Sequence, residues 1–265
     1  MKILLTGAAG VVGSALKRAY PDMIPAPSLR HADIGKIRQL MDTVQPDVIV
    51  HTAAISDIGT CQKEPDASYQ ANVLLPCLLA SACGPARLIC FSSDQVYSGC
   101  QEQGPYTEDM ACPANVYAMH KLEMENRVLD LRPDAVMLRA EWMYEMQSAR
   151  SNYLKLILEG TGELVFSSRQ YRGVTYLKEV AEAVPALTRL SGGVYNFGSE
   201  TRKSIYQITR ELVDFLQLHR TVTDGGNTQN LWMDCSRATG AGVRFSTVED
   251  ALRRAVMDWR GASGT

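Results

Sequence analysis

The 265-residue sequence contains no C-x-x-C pair, and its seven cysteines (61, 77, 83, 90, 100, 112 and 235) are odd in number. That pattern excludes a zinc ribbon and a disulfide framework, and it predicts reduced thiols in a cytoplasmic setting. The four histidines, at 31, 51, 120 and 219, have no ligand spacing, so no metal is expected. An excess of one charge is also missing: 27 Lys and Arg against 29 Asp and Glu leave a formal net charge of −2. Neither nucleic acid nor an anionic membrane surface is therefore an expected partner. No apolar run reaches the roughly 18 residues of a membrane span, and there is no internal repeat or low-complexity tract. The opening MKILLTGAAGVVGSALKRAY starts like a secretory leader, but Gly7, Gly10 and Gly13 break the apolar run such a leader needs. A retained N-terminus is expected.

What is present is an ordinary globular composition, 46% apolar and 21% charged, in a chain long enough for one large α/β core with a small lobe. Apolar runs and helical patterns alternate. Strands are predicted at 2–6, 23–26, 47–53, 87–93 and 135–139, with helices at 11–20, 34–44, 67–83 and 115–131 between them. The helix 67–83 is expected to kink at Pro76. Strand–helix–strand at this spacing means parallel βαβ units, hence a doubly wound parallel sheet, a Rossmann fold, over residues 1–140. After about residue 140 glycines punctuate shorter elements, predicting a smaller irregular substrate lobe over 141–265 that is interleaved with the core. Its last helix is expected to open with the capping box STVE, Ser246 to Glu249.

The segment TGAAGVVG directly follows the first strand and opens the first helix, the setting in which spaced glycines bind a dinucleotide. Gly7 allows the tight turn, Gly10 lets the backbone approach a pyrophosphate, and Gly13 lets helix pack on sheet. The helix start adds free amides and a positive dipole end. A second signal is VYAMHK (116–121), where Tyr117 and Lys121 stand four residues apart and share a helix face. An ammonium beside a phenol would lower the phenol pKa, making an acid/base pair; two residues on one solvated face is the alternative.

TGAAGVVG, HTAAIS (51–56), YQANV (69–73), FSSDQVY (91–97), VYAMHKLEME (116–125) and LRAEWMY (138–144) occur in the order of the extended short-chain dehydrogenase/reductase superfamily. Within it the chain most resembles dTDP-4-dehydrorhamnose reductase, closely over 1–144 and more weakly through SNYLKLIL, RQYRGVT and GGVYNFGS. The resemblance implies an NAD(P)-dependent oxidoreductase with catalytic Ser93, Tyr117 and Lys121. Tyr117 would give a proton, Ser93 would hold the substrate oxygen, and Lys121 would bind the nicotinamide ribose. For Ser93, a strand-end serine that only caps backbone is the alternative. The resemblance further places Val11 and Val12 at the pyrophosphate, Asp33 and Ile34 at the adenine, and Ala53, Ala54 and Ile55 at the nicotinamide half, with Asn72 also among the cofactor-binding residues. It places Asp94, Trp142 and Asn152, with Ser93, at the sugar nucleotide. A core aromatic is the alternative for Trp142.

Asp33, twenty residues past Gly13, has the spacing of a ribose-binding acid, but it starts a helix and fits an N-cap at least as well. No carboxylate ends the second strand; Ser28, Arg30 and His31 follow it instead and could take a 2′-phosphate. NADP (NADPH) is therefore preferred slightly over NAD (NADH). The resemblance pattern V-D-x-A-E reads IGTCQ (58–62) here, and D-Q-x-G-x-P-T reads RQYRGVT (169–175), so the sugar stays undefined. A 4-keto nucleotide sugar is the expected small-molecule partner, with a homodimer left open. An NAD-dependent epimerase is the second reading. A non-catalytic regulatory subunit like that of methionine adenosyltransferase is the third.

Overall fold

A computed structural model describes residues 1–148 and 150–263. Among the described residues ten strands occur in chain order: β1 (Ile3–Thr6), β2 (Ile24–Pro25), β3 (Val48–His51), β4 (Arg87–Ser93), β5 (Val136–Ala140), β6 (Trp142–Tyr144), β7 (Leu164–Phe166), β8 (Val174–Tyr176), β9 (Gly193–Phe197) and β10 (Val222–Asp224). Six of them form one parallel sheet in the order β2-β1-β3-β4-β5-β9. Neighbouring residues on a strand face opposite sides, so Leu5, Val50, Ile89 and Leu138 join the helices Val11–Ala19 and Leu177–Leu187 on one face. Leu4, Ile49, Leu88 and Met137 join Ile34–Val44, Leu75–Ala82 and Val116–Leu131 on the other. Each fully buried aliphatic side chain contributes about 1.5–3 kcal/mol, so both faces hold the sheet. The fold is α/β and doubly wound.

The chain runs outward from β1 to β2, then crosses back to β3 on the other side of β1. Such a reversal opens a crevice at the carboxyl ends of the two strands. There the loops touch, and Thr52 Oγ1 donates to the Thr6 carbonyl at 2.7 Å.

The second half of the chain returns to this core, supplying the edge strand β9 and the helix Leu177–Leu187. The rest builds a separate apolar cluster. Tyr144, Tyr153, Ile157, Val174, Ile208, Leu212 and Leu252 pack between the pairs β6–β8 and β7–β10 and the helices Tyr153–Glu159, Ile205–Phe215 and Val248–Ser263. Among the described residues no helix is long and apolar enough to cross a membrane.

Two local expectations need correcting. The distortion in the helix expected at 67–83 is a π-turn over Gln70–Leu74, just ahead of Pro76, between the α-helices Pro65–Tyr69 and Leu75–Ala82. Proline has no N–H for the carbonyl four residues back, and the widened turn moves the chain past that gap. The last helix is capped by Thr247, whose Oγ1 accepts from Asp250 N at 3.2 Å, rather than by Ser246. Ser246 is drawn away by Glu179, to which its backbone N–H and hydroxyl both donate.

Candidate functional site

The first turn after β1 places Gly7 at φ +72°, where an added Cβ would lie 2.6 Å from the Ala53 amide nitrogen. Gly13 is as constrained, because its Cβ would lie 2.8 Å from Ala8 Cα and overlap the Gly7 carbonyl. Gly10 differs. Its Cβ would meet only the Gly7 oxygen, at 3.2 Å. The helix it opens has no side-chain cap and no acidic residue in its first turn, so Val11 and Val12 begin an uncapped, electropositive helix end.

Across the switch point, Ala53, Ala54 and Ile55 form the loop after β3. Asn72, buried in the π-turn, clamps this loop: its Oδ1 accepts from Ile55 N at 3.2 Å and its Nδ2 donates to Ile55 O at 2.9 Å. Nδ2 also reaches Ser68 Oγ at 3.1 Å, which pairs with His120 Nδ1 at 2.8 Å. The network thus ties the loop to the helix of VYAMHK. His51, ending β3, pairs through Nδ1 with Thr6 Oγ1 at 2.7 Å, and burial pushes its pKa down to about 3, so the ring is neutral.

Ser93 ends β4, and Tyr117 and Lys121 lie one turn apart on Val116–Leu131, whose N-cap Asn115 accepts from Ala118 N at 2.9 Å. All three are buried. Ser93 Oγ accepts from Gln95 N and donates to Asp94 Oδ1, both at 3.2 Å, and its hydroxyl acts on the Tyr117 phenol in the direction that favours the phenolate. It therefore caps backbone and also faces the tyrosine. Lys121 Nζ donates to the Phe91 carbonyl at 2.7 Å and sits 5.9 Å from the Tyr117 ring centre.

The expected direction of tyrosine tuning is wrong. Burial pushes the Tyr117 pKa well above its ordinary value, outweighing the lowering influence of Ser93, and Asp94 adds to the rise. Burial brings Lys121 down to about 8. The phenol is thus held in its protonated, donating form.

Beneath these residues Glu125 and Arg139 form a buried pair at 2.7 Å. Ser92 Oγ donates to Glu125, and Arg139 reaches Tyr97 Oη at 2.8 Å and Glu108 O at 2.7 Å. Through Glu125, the bonds to Ser92 and Arg139 lock the helix of Tyr117 and Lys121 onto β4 and β5.

Two residues of the site went unread in the sequence. Arg172 donates to Asp94 Oδ2 at 2.6 Å and stacks on Trp142, 4.1 Å from the ring centre. Glu141 receives bonds from Thr175 Oγ1 and, at 2.9 Å, from Ser199 N; burial pushes its pKa up to about 8. Their signals were a charged residue inside the apolar stretch LRAEWMY and an arginine at the glycine position of D-Q-x-G-x-P-T. Trp142 is 47% exposed, so it is no core aromatic.

The remaining expected residues lie further out. Asp33 caps the helix Ile34–Val44, accepting from Lys36 N at 2.8 Å, as the N-cap reading requires. Arg30 is exposed just past β2, with Ser28 and His31. Asn152 caps Tyr153–Glu159 through Lys155 N at 3.2 Å and donates to Glu145 O at 2.8 Å, so its amide already has local work.

A family model described as "RmlD substrate binding domain" matches residues 1–264. A dTDP-4-dehydrorhamnose reductase of Mycobacterium tuberculosis is 30% identical over 70% of this chain and 65% of its own length. A methionine adenosyltransferase 2 subunit beta of Danio rerio is 27% identical over 95% of this chain and 89% of its own. Among solved structures, dTDP-4-dehydrorhamnose reductase from Bacillus anthracis in complex with NADP superimposes with a TM-score of 0.84 at 20% identity, covering 97% of this chain and 99% of that one.

Proposed function

Because the chain belongs to the RmlD substrate binding domain family, we propose that it is an NAD(P)H-dependent oxidoreductase that reduces the 4-keto group of a nucleotide sugar, as a dTDP-4-dehydrorhamnose reductase does. The observation that carries the reading is Tyr117, buried beside Ser93 with its proton held on, at the carboxyl edge of the sheet.

The residues present fit a dinucleotide. The missing Cβ of Gly10 has one protein neighbour, the Gly7 oxygen at 3.2 Å, and a side chain there would take up space at the uncapped helix start. Gly7, Gly10, Val11, Val12 and Gly13 would hold the pyrophosphate, with Asp33 and Ile34 toward the adenine. Ala53, Ala54, Ile55, Asn72 and Lys121 would hold the nicotinamide half, and exposed Arg30 would take a 2′-phosphate, which favours NADPH. The chemistry the nicotinamide supplies when bound is hydride donation.

A carbonyl gaining hydride develops alkoxide charge, so its oxygen needs a hydrogen-bond donor and then a proton. Ser93 Oγ holds that oxygen. Tyr117 Oη delivers the proton. Lys121, fixed by the Phe91 carbonyl, keeps a positive charge near both. Asp94, Arg172 and Trp142 line the sugar side.

The deciding experiment is NADPH oxidation against a set of 4-keto nucleotide sugars, with Tyr117→Phe as control. Phenylalanine keeps the ring packing and removes only the hydroxyl, so turnover should fall about 10²–10⁴-fold with cofactor binding nearly intact. Near wild-type turnover by Tyr117→Phe would eliminate the proton donor, and loss of cofactor binding in that variant would make Tyr117 structural.

A further inference from the structure

The Arg172 guanidinium is sealed into the site, its side chain 4% exposed, and neither proton transfer nor cofactor contact uses it. Nη2 meets Asp94 Oδ2 at 2.6 Å. Asp94 in turn accepts from Ser93 Oγ at 3.2 Å and acts electrostatically on Tyr117. The guanidinium is therefore one carboxylate away from Tyr117, on the side that the proposed function gives to the sugar.

Two features say that Arg172 is more than the countercharge of Asp94. Its Nε is buried without a partner among the described residues. Such an N–H costs free energy unless an acceptor meets it. The second is the charge left over. Burial pushes Glu141 up to about 8, so at pH 7 this neighbour adds little negative charge beyond that of Asp94, which alone balances the guanidinium. With Lys121 also cationic below about 8, the cluster keeps one positive charge. The arginine is braced from behind as well: a side chain on Gly173 would overlap the Glu141 carboxyl, so that carboxyl packs directly under the loop carrying Arg172.

A planar fork with one edge on an aspartate and the adjacent N–H unfilled matches a further carboxylate. We propose that Arg172 is a specificity residue that selects nucleotide sugars whose ring carries a carboxylate, binding it beside the reacting carbon. The proposal rests on the reading of the site as one for nucleotide sugars and goes beyond it in naming the class of sugar.

The test is titration of the NADP-loaded protein with the glucuronate and glucose esters of UDP and of dTDP, and with the free nucleoside diphosphates. The wild-type protein should bind the better uronate at least about 10-fold tighter than the matching hexose, and Arg172→Gln should lower uronate affinity about 10–100-fold more than it lowers hexose affinity. Arg172→Lys, keeping charge without the fork, should fall between. Equal affinity for uronate and hexose overturns the proposal while leaving the reductase reading in place. Equal losses for uronate, hexose and free diphosphate on Arg172→Gln would assign Arg172 to the diphosphate and also overturn it. Binding of none of these compounds overturns both readings. Should Arg172→Gln fail to fold, the wild-type preference alone decides.

Discussion

Of the pair Tyr117 and Lys121, the lysine responds to alkali first. Burial holds Tyr117 above its ordinary range and brings Lys121 down to about 8, so the lysine loses its proton before the tyrosine. The alkaline fall in kcat/KM is therefore expected near pH 8 and belongs to Lys121. Lys121→Arg, whose guanidinium stays charged, should move that limb upward by more than one pH unit; an unmoved limb would return it to another group. Arg30 acts at the other end of the cofactor. If it meets a 2′-phosphate, Arg30→Ala should weaken NADPH by about 1.5–3 kcal/mol and NADH hardly at all, measured by fluorescence titration. Equal losses for both cofactors would end the preference for NADPH. The tyrosine–lysine spacing was legible because i and i+4 share a helix face. The sign of the tyrosine shift was not, because it depends on how deeply β4 and the helix bury the phenol together.

At the scale of elements, the glycine turn and the first helix do two different things. Gly13 is a packing requirement, since its Cβ would run into the Gly7 carbonyl, so Gly13→Ala should cost about 1–3 kcal/mol of stability. Gly10 is crowded only at 3.2 Å, so Gly10→Ala should leave the unfolding midpoint nearly unchanged while cofactor affinity drops. Thermal unfolding and cofactor titration on the pair check this. A Gly10→Ala protein binding NADPH like wild type would mean that no phosphate approaches there. The strand–turn–helix setting could be read locally, because each of its requirements lies within a few residues. The π-turn at Gln70–Leu74 could not: proline at 76 predicts a defect, but whether the helix kinks or widens is settled by Asn72 turning in to hold Ile55.

Across the whole molecule, Glu141 joins the lobe to the sheet, bonded by Thr175 of β8 and by Ser199 just past β9. Its ordinary pKa of 4.5 rises to about 8 on burial, so the folded protein keeps a proton that the unfolded chain releases. Stability from this group is complete below about pH 4.5 and is lost as pH climbs through 8, the reverse of a salt-bridged carboxylate. Glu141→Gln, permanently neutral and nearly isosteric, should flatten that decline by up to a few kcal/mol. Urea unfolding at pH 5.5 and pH 8 measures it. A wild-type protein equally stable at both values, with the variant parallel to it, would show that Glu141 ionises without cost.

The sequence by itself determined the alternation of strands and helices, the glycine turn, the shared face of Tyr117 and Lys121, and the cap at Asp33. Each depends on residues within one or two turns of one another. Tertiary structure alone decided that Arg139 answers Glu125, that Arg172 answers Asp94 from 78 positions away, and that Ser246 is claimed by Glu179 so that Thr247 caps the last helix. Those outcomes are electrostatic and steric. A buried charge takes whichever partner folding brings within about 3 Å, and desolvation sets its protonation by depth, which no local spacing encodes.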